Sequence, residues 1–414
     1  MFKKCFLKPA ALALLAVALL PSCANDGVSH GEEPIVIPFS FGENWDMIVM
    51  NAVVRGAPGQ YLFDTGSSVS FVDGNKNPFL IRGLGRAGGS RFFAPIYVMQ
   101  SVSVEGVEIR ARSYSVDMTG VLSDYLVESL RGDNLDGILG NGIFAGYWVE
   151  MSFSRNEIIL HGEIPERFAD APRAPLTWGG WRNNLMLYNA DIDGHAVPLV
   201  IDSGRPWAFS FQNGLARLKT PQDLRHVASI DRAGDHYLLR ANSINIMDIA
   251  VTDKVVVTNS ELHPSDSRFN RKIRENGIGI LGLHFMRHYD FLFDYRDKNR
   301  RKTTEMRYLP LAPHEDRDYG FYAFFEEAPK LGIMDFIFDY DSSFPQLLVT
   351  SVLTDSVAYD ELGLRPGSII RLINSTMVHR FSYKELYKLF FSGEAAVFSV
   401  IRDGERFDVY FDPN

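Results

Sequence analysis

The stretch VPLVIDSGRPW, residues 197–207, is an apolar run that ends in Asp202 and continues into Ser203 and Gly204. Asp-Ser-Gly is a frequent turn tripeptide, so these three residues alone predict a strand that enters an ordinary turn. The same pattern also fits a carboxylate held at the end of a buried strand, where it can exchange protons with a substrate. The rest of the chain decides between these two interpretations.

A second copy of this stretch lies earlier in the chain. MIVMNAVVRGAPGQYLFDTGSS (47–68) aligns without gaps to LMLYNADIDGHAVPLVIDSGRP (185–206), so that Asp64 matches Asp202. Two further anchors follow in the same order, and they are Arg-Ala-Gly at 86–88 and 232–234 and Gly-Ile-Leu-Gly at 137–140 and 279–282. Convergent β-strand composition is the alternative explanation, but three ordered anchors favour an internal repeat.

Both repeats have the composition of β-structure. Short runs rich in Val, Ile, Phe and Tyr alternate with Gly, Asn and Asp turns, and Glu105-Gly106 predicts a turn between two strands. Each Gly-Ile-Leu-Gly precedes one candidate helix and a second apolar strand, WVEMSF (148–153) or YDFLFDY (289–295). We therefore expect a mainly β chain.

The repeats delimit the domains of this chain. We expect two related lobes over residues 34–170 and 175–312, and a third segment over 316–414. RFADAPRAPLTWGG (167–180) is rich in Pro, Ala and Gly, which predicts a connector between the lobes.

Asp64 and Asp202 each end an apolar run, and burial of one isolated carboxylate costs free energy. If a pseudo-twofold axis relates the repeats, the two carboxyls can meet at it. Like charges about 4 Å apart at an effective dielectric near 20 repel by ~4 kcal/mol. Such a pair therefore holds one proton between two carboxyls over a broad pH range. One carboxyl can then activate water as a general base, while the other protonates or polarises a carbonyl oxygen.

The two Asp-Thr/Ser-Gly motifs and the two Gly-Ile-Leu-Gly segments resemble aspartic peptidases of the retropepsin and pepsin type. The resemblance implies two tandem acid-protease-like β-barrel lobes that form a bilobal cleft, with water as the nucleophile and with no metal or organic cofactor. It implies that the Thr65 and Ser203 hydroxyls tie the two catalytic loops together and that Ser67 hydrogen-bonds the outer oxygen of Asp64. The dyad-support residues are Thr65, Gly66, Ser67, Ser203 and Gly204, and the cleft-strand residues are Ile138, Leu139, Gly140, Ile280, Leu281 and Gly282.

The same resemblance implies a flap that covers the cleft and excludes water. GLGRAGG (83–89) followed by Phe92 and Phe93 is the candidate, with Gly88 and Gly89 at a mobile tip. A counterpart at 232–235 favours a fused retropepsin dimer over a pepsin with a single flap. A plain Gly-rich surface loop is the alternative interpretation.

Arg205 departs from the pattern of the family, which has a small or hydroxyl residue at the position that Ser67 holds in the first repeat. An arginine about 7 Å from the dyad favours its doubly ionised form by ~2 kcal/mol at the same dielectric, which counteracts the shared proton. A catalytically inactive, peptide-binding protein that keeps the cleft is therefore the alternative to a peptidase.

The third segment resembles a bacterial PDZ domain, because residues 363–374 read GLRPGSIIRLIN. Ser368 replaces the acidic residue usual in that family. The resemblance implies an α+β domain that adds an extended peptide to a sheet edge and binds its terminal carboxylate in a backbone nest, for which Tyr319, Gly320 and Phe321 are the candidates. A blocked groove that serves only for packing against the lobes is the alternative.

The N-terminus reads as a signal peptide over residues 1–22, with a basic MFKK, the apolar run AALALLAVALL (10–20) and then Leu-Pro-Ser before Cys23. Leu20-Pro21-Ser22-Cys23 resembles a lipobox, which implies lipidation of Cys23 and a membrane-anchored lipoprotein of a bacterial cell envelope. The sequence leaves open on which face of the membrane the protein lies. A plain signal peptide with an incidental cysteine is the alternative. The net charge of −9 argues against nucleic acid as a partner, so the expected partners are polypeptide substrates, a peptide ligand of the PDZ-like domain and the membrane.

Two further signals are weaker. His284 and His288 are four residues apart, but no third ligand completes a zinc-protease pattern. The chain has no G-x-S-x-G elbow, which disfavours a serine protease with a PDZ tail.

Overall fold

The computed structural model describes residues 33–42, 47–54, 56–67, 70–72, 83–87, 92–99, 102–109, 113–117, 135–179, 184–204, 209–212, 224–229, 236–259, 278–297, 303–312, 336–341, 346–353, 357–381, 385, 389 and 395–411. Within these ranges the chain is mainly β, as predicted, with 29 strands, two short α-helices and three 3-10 helices. Some predicted features lie outside the described residues, and they are the signal peptide with Cys23, the flap glycines Gly88 and Gly89, the repeat-2 flap at 232–235, Arg205, and Tyr319, Gly320 and Phe321.

The strands follow the order of the sequence segments. In the first repeat, β1 to β13 are Ile35–Pro38, Ser40–Phe41, Ile48–Val54, Ala57–Asp64, Ser70–Val72, Gly83–Ala87, Phe92–Met99, Val102–Val104, Val107–Ile109, Ser113–Asp117, Gly137–Gly140, Trp148–Ser152 and Glu157–His161. In the second repeat, β14 to β23 are Arg173–Gly179, Asn184–Ile192, His195–Asp202, Phe209–Gln212, Leu224–Ser229, His236–Ile246, Ile249–Asn259, Ile278–Gly282, Tyr289–Asp294 and Thr303–Pro310. In the third segment, β24 to β29 are Phe336–Asp341, Gln346–Leu353, Ile369–Ile373, Thr376–Met377, Ala396–Arg402 and Glu405–Phe411.

The helices are all short. The α-helices are α1, Leu283–Met286, and α2, Val357–Asp360, and the 3-10 helices are Asn141–Phe144, Glu166–Phe168 and Val378–Arg380. The first 3-10 helix and α1 follow Gly140 and Gly282 directly, so the helix predicted after each Gly-Ile-Leu-Gly is present as a single turn, of the 3-10 type in the first repeat.

The two repeats pair their strands in the same way. In the first, β4 runs parallel to β11 and antiparallel to β3, and β5 is antiparallel to β11 and parallel to β10. In the second, β16, β21, β15, β17 and β20 take the same places with the same directions. The register sets Asp64 opposite Gly140 and Asp202 opposite Gly282. The repeated sequence therefore gives a repeated arrangement around both aspartates.

Strands β12 and β22 join the repeats through an antiparallel pairing. Glu150 lies opposite Leu292, with Val149 opposite Phe293 and Met151 opposite Phe291. Glu150 and Leu292 are also equivalent positions, because they share the offset that relates the two Gly-Ile-Leu-Gly segments. The pairing is thus symmetric about this residue pair, as a local pseudo-twofold axis requires, and one continuous hydrophobic core contains residues of both repeats.

The predicted connector at 167–180 contains a strand. Residues 173–179 form β14, which pairs antiparallel with β15 and β23. Ala174, Leu176 and Trp178 are buried, whereas Arg173 and Pro175 are exposed. This alternation is the period of a half-buried strand. The composition of this segment, rich in Pro, Ala and Gly, predicts a connector, but the alternation of its apolar residues is that of a strand.

Three tight turns within the described ranges consist of an acidic residue followed by Gly. Glu105-Gly106, Asp193-Gly194 and Asp403-Gly404 all have positive φ at both positions, between 49° and 85°. Two consecutive positive φ values are the signature of the two-residue hairpin turn that matches strand twist. The turn predicted at Glu105-Gly106 is confirmed, and Asp193-Gly194 and Asp403-Gly404 form turns of the same type.

The third segment has a hydrophobic core of its own, formed by residues that include Leu347, Ile370 and Phe398. Its strand β25 also pairs antiparallel with β18 of the second repeat, with Val227 opposite Leu353 and Ser229 opposite Ser351. The segment thus extends a sheet of the second repeat at this edge. Among the described residues, no helix has the length and apolarity needed to cross a membrane.

A charged cluster lies at the β12–β22 pairing. Glu150 is 1% exposed and binds Arg155, Arg167 and His161, the last at 3.0 Å between Oε2 and Nε2. Arg167 also donates to Asp290 Oδ2 at 3.0 Å. Because Glu150 lies on β12 and Asp290 on β22, Arg167 bridges carboxylates from the two repeats.

Candidate active site

Asp64 and Asp202 stand at the ends of β4 and β16, and both are half-buried. Each carboxyl group lies against the glycine of the opposite motif. A Cβ placed on Gly204 would be 2.6 Å from Asp64 Cγ, and one placed on Gly66 would be under 3.0 Å from the carboxyl atoms of Asp202. The structure therefore brings the two Asp-Thr/Ser-Gly motifs together, although 138 positions separate them along the chain.

Reciprocal hydrogen bonds between Thr65 and Ser203 hold the two turns against each other. Ser203 N donates to Thr65 Oγ1 at 2.8 Å, and Thr65 N donates to Ser203 Oγ at 3.0 Å. Each hydroxyl then donates across the junction to the strand that precedes the opposite aspartate, Thr65 to Ile201 O at 3.1 Å and Ser203 to Phe63 O at 2.9 Å. Both residues are buried. Four hydrogen bonds shielded from water thus fix the relative position of the two carboxyls.

The two turns are supported differently. In the Asp64 turn, Ser67 N donates to the Asp64 carbonyl oxygen at 3.2 Å, and Asn141 donates to the carbonyl oxygens of Thr65 and Ser67. In the Asp202 turn, Gly204 N donates to the Asp202 Oδ1 atom at 2.9 Å. Asn141 was not among the residues singled out from the sequence. Its signal there is the contrast between GILGN and GILGL in two otherwise matching segments.

The remaining predicted residues lie in the strands around this junction. Ile138, Leu139 and Gly140 pair with Leu62, Phe63 and Asp64, and Ile280, Leu281 and Gly282 pair with Val200, Ile201 and Asp202. Phe92 and Phe93 lie in β7, opposite Ala87 and Arg86 of β6, so these two strands pair antiparallel on either side of the residues predicted as a flap tip. Strands β18 and β19 form the corresponding antiparallel pair in the second repeat.

His284 and His288 lie in and just after α1, and their rings meet edge to face with centroids 5.5 Å apart. The part of the chain that the structure describes contains no group of three or more His, Cys, Asp or Glu side chains that could hold a metal ion. The arrangement that the structure offers is a carboxyl pair supported by hydroxyls and backbone groups. Such a pair is suited to proton transfer.

Replacement of Gly66 tests the contact with Asp202. We expect Gly66→Ala to lower the free energy of unfolding by about 2–3 kcal/mol, because the new methyl group overlaps the Asp202 carboxyl and the packed turns must shift. The measurement is urea unfolding followed by circular dichroism.

A double-mutant cycle provides the control for this prediction. In an Asp202→Ala background the atoms that the methyl group meets are gone, so we expect the cost of Gly66→Ala to fall by about 1 kcal/mol or more. Strictly additive costs in the cycle would show that Gly66 and the Asp202 carboxyl are not in contact.

Comparison with known proteins adds no assignment, since no protein-family model matches the chain and a search of curated proteins gives no match.

Proposed function

We propose that the chain is an aspartic endopeptidase that hydrolyses peptide bonds with a water molecule activated between Asp64 and Asp202. The observation that carries the proposal is the reciprocal Thr65–Ser203 hydrogen bonding, which holds each carboxyl group against the glycine of the other motif. An ordinary turn at the end of a strand does not require reciprocal hydrogen bonds with a second, equivalent turn. In this proposal the repeats are two acid-protease-like lobes, 34–170 and 175–312, with the cleft between them.

The proposed reaction uses one ionised and one protonated carboxyl. The water oxygen attacks the peptide carbonyl carbon while its proton passes to the carboxylate, and the protonated carboxyl donates its proton to the carbonyl oxygen. The tetrahedral intermediate then collapses. The first carboxyl returns its proton to the amide nitrogen, the C–N bond breaks, and the second carboxyl recovers a proton from a hydroxyl group of the intermediate. The pair ends in its starting state, so the cycle needs no metal or cofactor.

The test is incubation of the chain with a peptide library over a range of pH, with and without a pepstatin-like inhibitor. Cleavage that the inhibitor blocks supports the peptidase. Peptide binding without cleavage at any pH favours the alternative, an inactive peptide-binding protein, for which Arg205 next to the second motif is the specific observation. Cleavage of library peptides that the inhibitor leaves unchanged contradicts the proposed site.

We propose that residues 316–414 form a PDZ-like domain that recruits substrate or partner peptides. A separate hydrophobic core and the order of strands and of helix α2 within 336–411 support this proposal. In this segment β24 pairs with β25, β25 with β26, and β26 with β28. The hairpin of β28 and β29 completes the sheet.

Deletion of residues 316–414 tests the recruiting role. We expect a loss of about tenfold or more in kcat/KM for long substrates that carry a C-terminal ligand sequence, because the domain raises their effective concentration at the cleft. Short peptides that occupy only the cleft are the control and are cleaved equally by both forms. If deletion leaves the cleavage of the long substrates unchanged as well, the recruiting role is refuted.

We propose that Cys23 carries a lipid that anchors the protein to a membrane of the bacterial envelope. The lipobox-like Leu-Pro-Ser-Cys after the apolar run supports this localisation. We expect Cys23→Ser to move the protein from the membrane fraction to the soluble fraction of fractionated cells, because acylation supplies the membrane affinity. Cys5→Ser is the matched control and leaves the distribution unchanged, and an unchanged distribution of Cys23→Ser would refute the anchor.

A further inference from the structure

Asn141 contacts the Asp64 turn at two points. Its side-chain Nδ2 donates to the Thr65 carbonyl oxygen at 2.6 Å, and its backbone N donates to the Ser67 carbonyl oxygen at 2.8 Å. These two carbonyls flank Gly66, the residue against which the Asp202 carboxyl packs. Asn141 therefore holds the backbone on both sides of the contact between the two motifs.

The orientation of this amide follows from its surroundings. The reverse orientation would set Oδ1 against the Thr65 carbonyl oxygen, and two acceptors repel, so Nδ2 is the atom that faces Thr65. Asn141 is fully buried, and its Oδ1 has no hydrogen-bond partner among the described residues. A buried acceptor without a partner costs free energy. Packing alone does not account for an asparagine at this position.

The second repeat indicates what packing alone requires. Leu283 follows Gly282 as Asn141 follows Gly140, and it is buried as well. A leucine side chain has no hydrogen-bond donor and leaves no buried polar atom unsatisfied. At this equivalent position the two turns of the site therefore differ in the presence or absence of a side-chain donor.

We propose that Asn141 is a positioning residue that fixes the Asp64 turn and thereby makes the two carboxyls of the pair unequal. In a symmetric pair both carboxyls follow the same titration curve, whereas unequal surroundings separate the curves and assign the shared proton to one member. The kinetic consequence rests on the proposed peptidase function. One member of the pair then acts as the base at the start of every turnover. The reason is that the Asn141 side chain donates a hydrogen bond to the Asp64 turn, whereas Leu283 has no side-chain donor for the Asp202 turn.

The first experiment compares the full-length chain with Asn141→Leu, which copies the second repeat. We expect kcat to fall by about 10–100-fold with KM unchanged within about threefold, because a small displacement of the carboxyls affects the reacting geometry more than the binding of the peptide. The pH–rate profile shifts as well. Leu283→Met is the matched control at the equivalent buried position and retains the kcat, the KM and the pH profile of the unsubstituted chain. Equal loss in kcat and in folded fraction, with an unshifted pH profile, would reduce Asn141 to a structural residue.

The second experiment needs no turnover and separates this proposal from the peptidase proposal. The carboxyl ¹³C shifts of Asp64 and Asp202 are followed against pH by NMR in the unsubstituted chain, in Asn141→Leu and, should leucine prevent folding, in Asn141→Ser. We expect two distinct curves in the unsubstituted chain that approach each other in the variants. Coincident curves in the unsubstituted chain, or curves equally far apart in the variants, overturn the proposal. Curves that are distinct in the unsubstituted chain and approach each other in the variants, without any cleavage, refute the peptidase and leave the role of Asn141 standing.

Discussion

We expect Asp64→Asn and Asp202→Asn each to lower kcat/KM for the proposed peptide cleavage by about 10³-fold or more, because an asparagine can neither accept the proton of water nor donate one to the carbonyl oxygen. Asparagine keeps the shape of the side chain and the contact with the opposite glycine, so we expect both variants to fold. The measurement is steady-state cleavage of a peptide that the library identifies, with circular dichroism as the check on folding.

Asp136→Asn is the matched control for the dyad. Asp136 is a half-buried carboxylate in the same repeat, and its Oδ2 accepts a hydrogen bond from Gln60 N at 2.9 Å, outside the junction of the two motifs. An asparagine oxygen can accept the same bond, so we expect activity within about threefold of the unsubstituted chain. Cleavage that survives in Asp64→Asn or in Asp202→Asn would place the catalytic group elsewhere.

The double variant Asp64→Asn/Asp202→Asn shows whether the carboxyls act together. If they share one proton and one water molecule, removal of the second carboxyl adds little to the loss caused by the first, because groups that act as a unit are not additive. A double variant whose loss equals the product of the single losses would indicate two independent sites.

Glu150→Gln is expected to give the largest loss of stability, about 2–4 kcal/mol in the free energy of unfolding at pH 7. Glu150 is buried, and its charge is balanced by Arg155 and Arg167 and by a hydrogen bond to His161. Removal of a buried charge leaves its partners uncompensated, and the partial exposure of both arginines keeps the effect below that of a fully enclosed pair. Glu157→Gln is the control, since Glu157 forms a more exposed pair with Arg155 at 3.3 Å and should change the free energy by less than about 1 kcal/mol.

The loss caused by Glu150→Gln depends on pH. Desolvation acts to raise the pKa of Glu150, but the hydrogen bond to His161 and the charges of Arg167 and Arg155 outweigh it, so the pKa lies below its ordinary value of 4.5. A lowered pKa in the folded state contributes stability above the pKa of the unfolded state and loses it as the pH falls through the folded pKa. Urea unfolding of both proteins from pH 7 to pH 3 should therefore show curves that converge below about pH 4.5. A constant difference over this range would contradict the ionised state of Glu150.

Much of the site can be predicted from the sequence because the aspartate motif and the Gly-Ile-Leu-Gly segment both occur twice. The match of Asp64 with Asp202, and of the two Gly-Ile-Leu-Gly segments, predicts which strands surround the carboxyls, since equivalent segments adopt equivalent pairings. The turns at Glu105-Gly106 and Asp403-Gly404 are also local, because glycine relieves the positive φ that these turns require.

Other features depend on partners that no local pattern identifies. Residues 173–179 have the alternation of a strand, but their composition predicts a connector, and nothing in the segment identifies β15 and β23 as the strands with which it pairs. Arg167 bridges Glu150 and Asp290, and β18 pairs with β25, across separations that leave no periodic signal. Such contacts form only when the chain has folded and segments distant in sequence lie side by side.

The sequence by itself determined a mainly β chain with two matching carboxylate motifs, because strand periodicity and turn chemistry act over a few residues. The tertiary structure alone decided that each carboxyl rests against the opposite glycine and that Thr65 and Ser203 cross between the turns. It also decided that the Asn141 side chain supports the Asp64 turn by a hydrogen bond. The Leu283 side chain, at the equivalent position, has no donor with which to support the Asp202 turn. The physical reason is that a buried hydrogen bond depends on the position of both groups to within a few tenths of an ångström, and packing sets that position.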